Sequence, residues 1–437
     1  MKRTPLESWI SAKVGAGTDL LTRAGIERYQ LQKLNETLAR VRARSSFYRR
    51  HLAGAGEGTV SSLGELQRFP FTTAADIRQN PLQFLCVSQS EVNRVVTLPT
   101  SGTTGEPKRI YFTGEDQELT VDFFHVGMST LVGPGDRVLI LLPGERPGSV
   151  GDLLVAGLCR LGVHGMAYGP VQNYPEAQEV MVRERIDALV GIPVQVLALA
   201  RHSRGEAPPR SVLLSTDYVP ESISSELRRI WGCEVYTHYG MTEMGFGGGV
   251  ECEARVGYHM REVDLYFEII GSETGLPMKE GETGEVVFTT LNRLAMPLIR
   301  YRTGDLSRFV PEICPCGTVL KTMAQVKGRI NGCIALEPGN VLTMADLDEA
   351  LFRISDLSDF SARLTREDDL DCLQIAVAIL DDEHEGRIES IHRALNDIPA
   401  IRSAVRHGSL ALSVVAREGK PRTLNSTIKR TISDERN

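Results

Sequence analysis

Short apolar runs alternate with helical patterns through the middle of the chain, and this alternation limits the possible folds more than any other feature. Strand-like runs occur at 138–142, 187–192 and 212–214, and patterns with helical spacing occupy 150–161 and 175–184. Strands that alternate with helices of about 10–15 residues form parallel sheets with both faces covered. The sequence therefore predicts an α/β fold whose ligands bind beyond the carboxyl ends of the strands.

A loop rich in glycine and hydroxyl side chains lies earlier in the chain, between an apolar run at 95–98 and a strand-like run at 109–113. Backbone amides, hydroxyls and an ammonium group in such a loop can all approach anionic oxygens, so we predict that it binds polyphosphate. A Walker loop is excluded because Lys108 follows Pro107 and precedes β-branched and aromatic residues instead of opening a helix. A solvated hairpin turn stays open as the alternative. The predicted phosphate-binding residues are Ser101, Gly102, Thr103, Thr104, Gly105 and Lys108.

Three further motifs follow downstream: Tyr236-Thr237-His238-Tyr239-Gly240-Met241-Thr242-Glu243, then Tyr301-Arg302-Thr303-Gly304-Asp305, then Gly328-Arg329. Together with the loop they resemble the adenylate-forming acyl- and aryl-CoA ligases, and most closely the phenylacetate-CoA ligase-like branch. The resemblance covers residues 72–332. It implies a large N-terminal domain that binds ATP and a small C-terminal domain that moves.

The resemblance also implies a role for each motif. Thr242 would contact phosphate oxygens, and Glu243 would hold Mg²⁺, a hard cation that prefers carboxylate and phosphate oxygens. Asp305 would accept hydrogen bonds from the ribose hydroxyls, and Arg329 would contact phosphate or ribose. The nucleotide-binding residues implied outside the glycine-rich loop are Ser215, Thr216, Asp217, His238, Tyr239, Gly240, Met241, Thr242, Asp305 and Arg329.

Two of these positions keep alternative explanations. Ser215-Thr216-Asp217 stands where the family commonly has a Gly-Gly/Ala-Glu-Pro turn against the adenine. These residues therefore either bind nucleotide or form an ordinary strand-to-helix turn with Asp217 as a cap. His238 either faces the acyl carboxylate or is a hydrogen-bonded core histidine. Four glycines at 245–249 predict that another chain segment or a ligand approaches the backbone closely there.

Three cysteines and one histidine between positions 252 and 316 form a candidate metal site. Three thiolates and one imidazole complete a tetrahedral Zn²⁺ set, and Pro315 stiffens the tight Cys314-Pro315-Cys316 pair. The spacing between Cys252 and His259 is not that of a standard zinc finger, so free cysteines beside a surface histidine stay open as the alternative. Some members of the resembled branch carry a zinc knot in this region. Such a closed site would staple strands together and take no part in catalysis.

The last third of the chain predicts two smaller substructures. The β-rich runs at 261–270 and 285–290 indicate a hairpin of a distorted β-barrel subdomain beside the main sheet. The resemblance places a hinge at residues 327–329, which divides the chain into an adenylation domain at 1–327 and a mobile α+β domain at 328–437. Lys420 would reach the carboxylate and the α-phosphate from that mobile domain. Either it does so, or it is a solvated loop lysine followed by an unusual Pro421. The predicted catalytic set is Lys108, Thr242, Glu243 and Lys420.

Composition narrows the functional classes. A net charge of −7 argues against general nucleic-acid binding, and no segment has the long uninterrupted apolar run of a membrane span. The chain starts with basic residues, but Glu7 and polar residues follow where a signal peptide needs an apolar core, so we expect no signal peptide here. The eight cysteines of a chain without such a signal indicate reduced thiols or a metal site, so we expect a cytoplasmic protein.

These observations predict an AMP-forming acid-CoA ligase. The resemblance implies that ATP activates an aryl or arylacetic carboxylate as its adenylate, with Mg²⁺ bound, and that coenzyme A then accepts the acyl group. An adenylating enzyme with another acceptor (an amine, a carrier thiol or a deazaflavin cofactor) stays open, as does a nucleotide-binding accessory protein without catalysis. Structural Zn²⁺ and a homodimer are further expectations.

Overall fold

The computed structural model describes residues 1–17, 21–56, 58–98, 106–380, 385–416 and 430–436. Within these ranges the α-helices are α1 (Pro5–Val14), α2 (Arg23–Arg44), α3 (Ser46–His51), α4 (Ala74–Gln79), α5 (Gly114–Met128), α6 (Val150–Arg160), α7 (Tyr174–Glu184), α8 (Pro193–Ser203), α9 (Glu221–Trp231), α10 (Met344–Leu351), α11 (Glu385–Asp397) and α12 (Pro399–Arg406).

The strands of the same ranges are β1 (Arg94–Leu98), β2 (Lys108–Phe112), β3 (Arg137–Ile140), β4 (His164–Ala167), β5 (Ala188–Gly191), β6 (Ser211–Leu214), β7 (Glu234–Tyr239), β8 (Gly249–Glu251), β9 (Tyr258–Met260), β10 (Leu265–Ile270), β11 (Gly284–Thr290), β12 (Tyr301–Ser307), β13 (Thr322–Met323), β14 (Gly328–Arg329), β15 (Cys333–Glu337), β16 (Asn340–Thr343), β17 (Leu357–Glu367), β18 (Leu370–Ile379), β19 (Leu410–Ala416) and β20 (Ser433–Asp434).

The chain divides into two compact units. Unit 1 comprises Met1–Gly135, Gly144–Gly165 and Tyr236–Val326, and unit 2 comprises Asp136–Pro143, Met166–Val235 and Lys327–Asn437. None of the described helices combines the length and the apolar character needed to cross a membrane.

Unit 1 is built from antiparallel ladders around one apolar core. Strands β1 and β2 pair antiparallel, which confirms the two strands predicted on either side of the glycine-rich segment. Strands β10, β11 and β12 pair antiparallel in chain order, and an irregularity in register interrupts the β11–β12 ladder between Glu285 and Val287. The first of these ladders is the predicted hairpin. The core packs helix α2 and the segment before β1 against these strands, and it includes residues of both β2 and β12.

Unit 2 contains the parallel strands that the alternating pattern predicts. Strand β5 pairs parallel with β3 on one side and with β6 on the other. Helix α8, which follows β5, is buried on almost every face, as expected for a helix inside an α/β layer. The predicted α/β fold class is therefore confirmed, and residues 357–416 add the expected α+β element: β17 pairs antiparallel with β18, and β18 pairs parallel with β19.

The buried guanidinium of Arg201 ties α8 to the turn that precedes β17. It donates hydrogen bonds to the carbonyl oxygen of Phe352 at 2.8 Å and to that of Leu357. Burial lowers the pKa of Arg201, although Glu226 nearby opposes that effect.

The domain boundary predicted at residues 327 and 328, and the mobility of the part beyond it, stay predictions.

Replacing Arg201 by methionine should destabilise unit 2, because two buried carbonyl groups would lose their donor. The expected loss is about 2–4 kcal/mol in the free energy of unfolding. The chain has two tryptophans, so urea unfolding followed by fluorescence in a Trp9→Phe background reports Trp231, which lies in α9 of the same unit. Arg183→Met is the matched control, since its side chain is 67% exposed. An equal loss of unfolding free energy in both variants would contradict the stabilising role of the Arg201 hydrogen bonds.

Candidate active site

Three side chains that lie far apart in the sequence meet in unit 1. Lys108 opens β2, Glu243 lies in a short 3₁₀ turn after β7, and Tyr301 opens β12. The ammonium of Lys108 forms an ion pair with Glu243 Oε1, and the Tyr301 hydroxyl donates to the same oxygen at 2.9 Å. Lys108 Nζ lies 3.3 Å from the Tyr301 hydroxyl. We call these three residues the Glu243 cluster.

The Glu243 carboxylate is charged in spite of its burial. Its side chain is 4% exposed and that of Lys108 is 16% exposed. Burial alone would raise the pKa of Glu243, but the charge and hydrogen bond of Lys108, together with hydrogen bonds from the backbone and from Tyr301, hold this pKa below its usual range. The cluster therefore presents a fixed negative charge with one cation already beside it.

Arg293 fixes the backbone of Glu243 by a hydrogen bond. The guanidinium of Arg293 donates to the Glu243 carbonyl oxygen at 2.6 Å and lies over the ring of Phe112, 4.5 Å from its centroid. Burial lowers the pKa of Arg293 to about 10. Because Phe112 ends β2 and Lys108 begins it, the same strand carries the cation partner of Glu243 and the aromatic platform of Arg293.

The turn that carries Glu243 depends on glycine. A Cβ atom at Gly240 would lie 2.1 Å from the carbonyl oxygen of Phe246, so no other residue fits without moving the backbone. A Cβ atom at Gly247 would lie 2.4 Å from the ring of Phe123. The glycines at 245–249 thus allow helix α5, which carries Phe123, to approach this backbone, as the sequence predicts for another chain segment.

A second contact joins two of the predicted nucleotide-binding residues. The hydroxyl of Tyr239 donates to Asp305 Oδ2 at 3.1 Å, and Asp305 is fully buried. The ring of Tyr239 also stacks on Tyr258, with the centroids 5.9 Å apart. Unit 1 therefore brings the second and third motifs of the sequence together.

His238 is partly buried beside aromatic rings. Its ring centroid lies 6.1 Å from that of Phe123 and 6.4 Å from that of Phe124. Burial lowers the pKa of His238 to about 4, so the imidazole is neutral at physiological pH. The sequence leaves two explanations for this histidine, one facing the acyl carboxylate and one in a hydrogen-bonded core position, and both stay predictions.

The remaining predicted residues fall into three groups. In unit 1, Gly240 and Met241 link β7 to the 3₁₀ turn Thr242–Met244, and Thr242 begins that turn. Ser215, Thr216, Asp217 and Arg329 belong to unit 2. The predicted phosphate-binding residues Ser101, Gly102, Thr103, Thr104 and Gly105 and the predicted catalytic Lys420 lie outside the described residues.

In unit 2 the turn after β6 has an unusual backbone. Thr216 has a φ of 78°, a value that β-branched residues rarely adopt. The carboxylate of Asp217 accepts from the backbone amides of Tyr218 and Arg430, so it does not cap the helix that follows. Glu349 of α10 caps α9 instead, accepting from the amides of Glu221 at 2.8 Å and Ser222 at 3.0 Å.

The cysteine and histidine cluster is assembled as the sequence predicts. The ligand atoms of Cys252, His259, Cys314 and Cys316 all lie within 4.8 Å of one another, and all four residues are buried. Cys252 Sγ is 3.6 Å from Cys314 Sγ, and His259 Nε2 is 3.3 Å from Cys252 Sγ and 3.5 Å from Cys316 Sγ. A tetrahedral Zn²⁺ with ordinary bond lengths sets these edges at about 3.8 Å and about 3.5 Å. The residues therefore fit zinc.

Sequence patterns do not identify Tyr301 and Arg293 as parts of the site. Tyr301 belongs to the third motif but has no role assigned to it there, and Arg293 lies in no motif. Arg300 and Arg302, whose roles the sequence leaves open, form structural ion pairs: Arg300 with Glu268 at 3.0 Å and Arg302 with Glu285.

The fold and this site define a class of enzyme. The family model "AMP-binding enzyme" matches residues 55–292, and the chain belongs to this family. Among characterised relatives, the phenylacetate-coenzyme A ligase of Thermus thermophilus is 32% identical over 342 residues, covering 74% of each chain. The phenylacetate-coenzyme A ligase of Escherichia coli is 28% identical over 396 residues, covering 86% of this chain and 88% of the relative. The predicted branch and the predicted class, AMP-forming acid–thiol ligases, are confirmed.

A solved structure agrees at the level of the fold. The crystal structure of 2-hydroxyisobutyryl-CoA ligase in the postadenylation state matches with a TM-score of 0.80 and 21% identity, over 95% of this chain and 91% of that chain. At this identity the match supports the fold alone.

The pKa of His238 gives a pH prediction. The unfolded imidazole takes up its proton near pH 6.5, whereas the folded imidazole resists it down to about pH 4. Burial of the neutral ring therefore stabilises the fold above pH 6.5, and this contribution is lost as the pH falls towards 4. At about pH 5 the loss should be about 2 kcal/mol relative to neutral pH.

Histidine side-chain NMR can check this pKa directly. The resonance that disappears in His238→Asn should not titrate between about pH 5.5 and about pH 8.5. A titration midpoint near 6.5 would contradict the burial of a neutral imidazole at this position.

Proposed function

We propose that this protein activates a carboxylic acid with ATP and transfers the acyl group to coenzyme A. In the first step a carboxylate oxygen attacks the α-phosphorus, the bond to the β-phosphate oxygen breaks, and pyrophosphate leaves. In the second step the thiolate of coenzyme A attacks the acyl carbon, and AMP leaves. The observation that carries the proposal is the Glu243 cluster, a buried carboxylate paired with a lysine ammonium, in a chain of the AMP-binding enzyme family.

No protein nucleophile is needed for this reaction, so the residues act by alignment and charge. Lys108 supplies a point charge for phosphate oxygens at the end of the glycine-rich loop. Asp305 accepts from the ribose hydroxyls, and Tyr239 fixes its orientation by the observed hydrogen bond. Glu243 would hold Mg²⁺, which would supply positive charge beside the phosphate oxygens. Thr216 and its neighbours in unit 2 are further nucleotide-binding candidates, supported by the strained backbone of that turn.

An aryl or arylacetic acid is the substrate class that we propose. The named activity of the relatives from Thermus thermophilus and Escherichia coli supports it. Aromatic side chains also surround the neutral His238 in unit 1, where Phe123 and Phe124 flank the imidazole. A flat apolar ring could pack against such a wall without leaving a buried charge unpaired.

We also propose that Cys252, His259, Cys314 and Cys316 bind structural Zn²⁺. The distances between their ligand atoms support this assignment, and a fourth protein ligand leaves no open position for catalysis. The segment that follows Cys316 holds the N-terminal helix: the backbone amide of Val319 donates to Glu7 of α1 at 2.9 Å. Trp9, two residues further along the same helix, donates to Asp122 of α5 at 3.0 Å. Zinc would therefore support the packing of α1 on α5.

The ligase proposal predicts acid-dependent exchange of labelled pyrophosphate into ATP. We expect exchange with at least one aromatic or arylacetic acid and AMP release that coenzyme A stimulates. Glu243→Gln should lower the exchange at least about 100-fold, because it removes the charge for the metal. Glu312→Gln, a change of an exposed glutamate, is the matched control. Exchange without stimulation by coenzyme A would indicate another acceptor, and no exchange with any acid in the panel would contradict the proposal.

The zinc proposal predicts one Zn²⁺ per chain by elemental analysis of the purified protein. In a Trp231→Phe background, removal of the metal by a chelator should shift the emission of Trp9 to longer wavelength as α1 loosens. Cys314→Ser should lose the metal, whereas Cys333→Ser, at an exposed cysteine, should keep it. Equal metal content in both variants would contradict the assignment.

A further inference from the structure

We infer that Tyr301 is the positioning residue of Glu243 and that Lys108 is a temporary occupant of the cation site, which leaves Glu243 when Mg²⁺ and nucleotide bind. This inference rests on the proposed function and assigns a role to a residue that the sequence motifs leave without one. It follows from how one carboxylate oxygen is shared, from the charges around it and from the packing of the tyrosine.

The first step is the shared oxygen. Among the described residues, the Lys108 ammonium and the Tyr301 hydroxyl both contact Oε1 of Glu243, and they lie 3.3 Å from each other. The three groups form a triangle around one acceptor. A divalent cation that binds this oxygen must displace one of the two donors or find a position beside both of them.

The second step is the charge balance. A buried carboxylate without a cation is costly, and among the described residues Lys108 is the cation that contacts the Glu243 side chain. Arg293 contacts only the backbone carbonyl of Glu243. When Mg²⁺ supplies the positive charge, the Lys108 ammonium becomes a like-charged neighbour and is repelled. Its four-carbon stem is flexible, so the ammonium can move to phosphate oxygens.

The third step is the rigidity of Tyr301. It is 2% exposed, and its ring packs against Phe288 with the centroids 5.4 Å apart. The backbone of Tyr301 pairs with that of Phe288 in the β11–β12 ladder. The backbone of Thr72 forms hydrogen bonds with the two residues next to Tyr301: its amide donates to the carbonyl of Arg300, and its carbonyl accepts from the amide of Arg302. A neutral phenol held in this way is not repelled by Mg²⁺. Tyr301 can therefore keep the carboxylate oriented while Lys108 leaves.

The test measures binding without turnover. The affinity for α,β-methylene-ATP, which cannot release pyrophosphate, is measured by calorimetry with and without Mg²⁺ and without any acid substrate. Tyr301→Phe removes only the hydroxyl, so the ring packing should survive. We expect it to reduce the gain in affinity from Mg²⁺ by about tenfold, while the affinity without Mg²⁺ changes less than about twofold. Tyr266→Phe on β10 of the same sheet is the control and should behave as the wild type.

A second variant tests the temporary occupant. Lys108→Met removes the competing ammonium, so Mn²⁺, titrated without nucleotide and detected by electron paramagnetic resonance, should bind about tenfold more tightly than in the wild type. Unchanged Mn²⁺ binding in Lys108→Met, or an unchanged Mg²⁺ effect in Tyr301→Phe, would overturn the corresponding half of the inference. A wild type that binds no nucleotide under any of these conditions would instead overturn the proposed function.

Discussion

A carboxylate buried in a protein must find positive charge and hydrogen bonds, and the candidate site of this chain depends on how Glu243 meets that requirement. Glu243 lies in the turn after β7, and the two side chains that partner its carboxylate, Lys108 and Tyr301, come from β2 and β12. Their sequence separations, 135 residues between Lys108 and Glu243 and 58 between Glu243 and Tyr301, mean that only the folded unit 1 can assemble the cluster. The stability of that unit and the presence of the site are therefore linked.

The surrounding structure keeps this cluster in place from several directions. Arg293 holds the backbone of Glu243, and glycine at position 240 lets the chain turn tightly enough to present the carboxylate. On another side, Phe123 of α5 packs against Gly247. The same helix α5 carries Asp122, which accepts a hydrogen bond from Trp9 of α1. The cysteine and histidine cluster is connected to these contacts through α1, because the backbone amide of Val319, just after Cys316, donates a hydrogen bond to Glu7. A structural metal would thus act on the site only through packing.

The sequence predicts the parts of this arrangement that local chemistry determines. Alternating periodicity indicates the parallel strands β3, β5 and β6, and the metal cluster is indicated by the ligand types of Cys252 and His259 with the closely spaced pair Cys314 and Cys316. Lys108 and Glu243 are each predicted from their own motifs, but no pattern indicates that they pair. Tyr301, Arg293 and the cap of α9 by Glu349 depend on tertiary contacts between distant segments, so propensity and periodicity cannot indicate them.

The measurement that tests the central claim most directly follows an oxygen atom. If the carboxylate attacks the α-phosphorus of ATP at this site, an acid substrate labelled with ¹⁸O in its carboxylate must transfer one labelled oxygen to AMP. Mass spectrometry of the products should then find the label in AMP and none in orthophosphate. Label in orthophosphate would mean attack at the γ-phosphorus, and it would contradict an adenylate-forming mechanism for this protein.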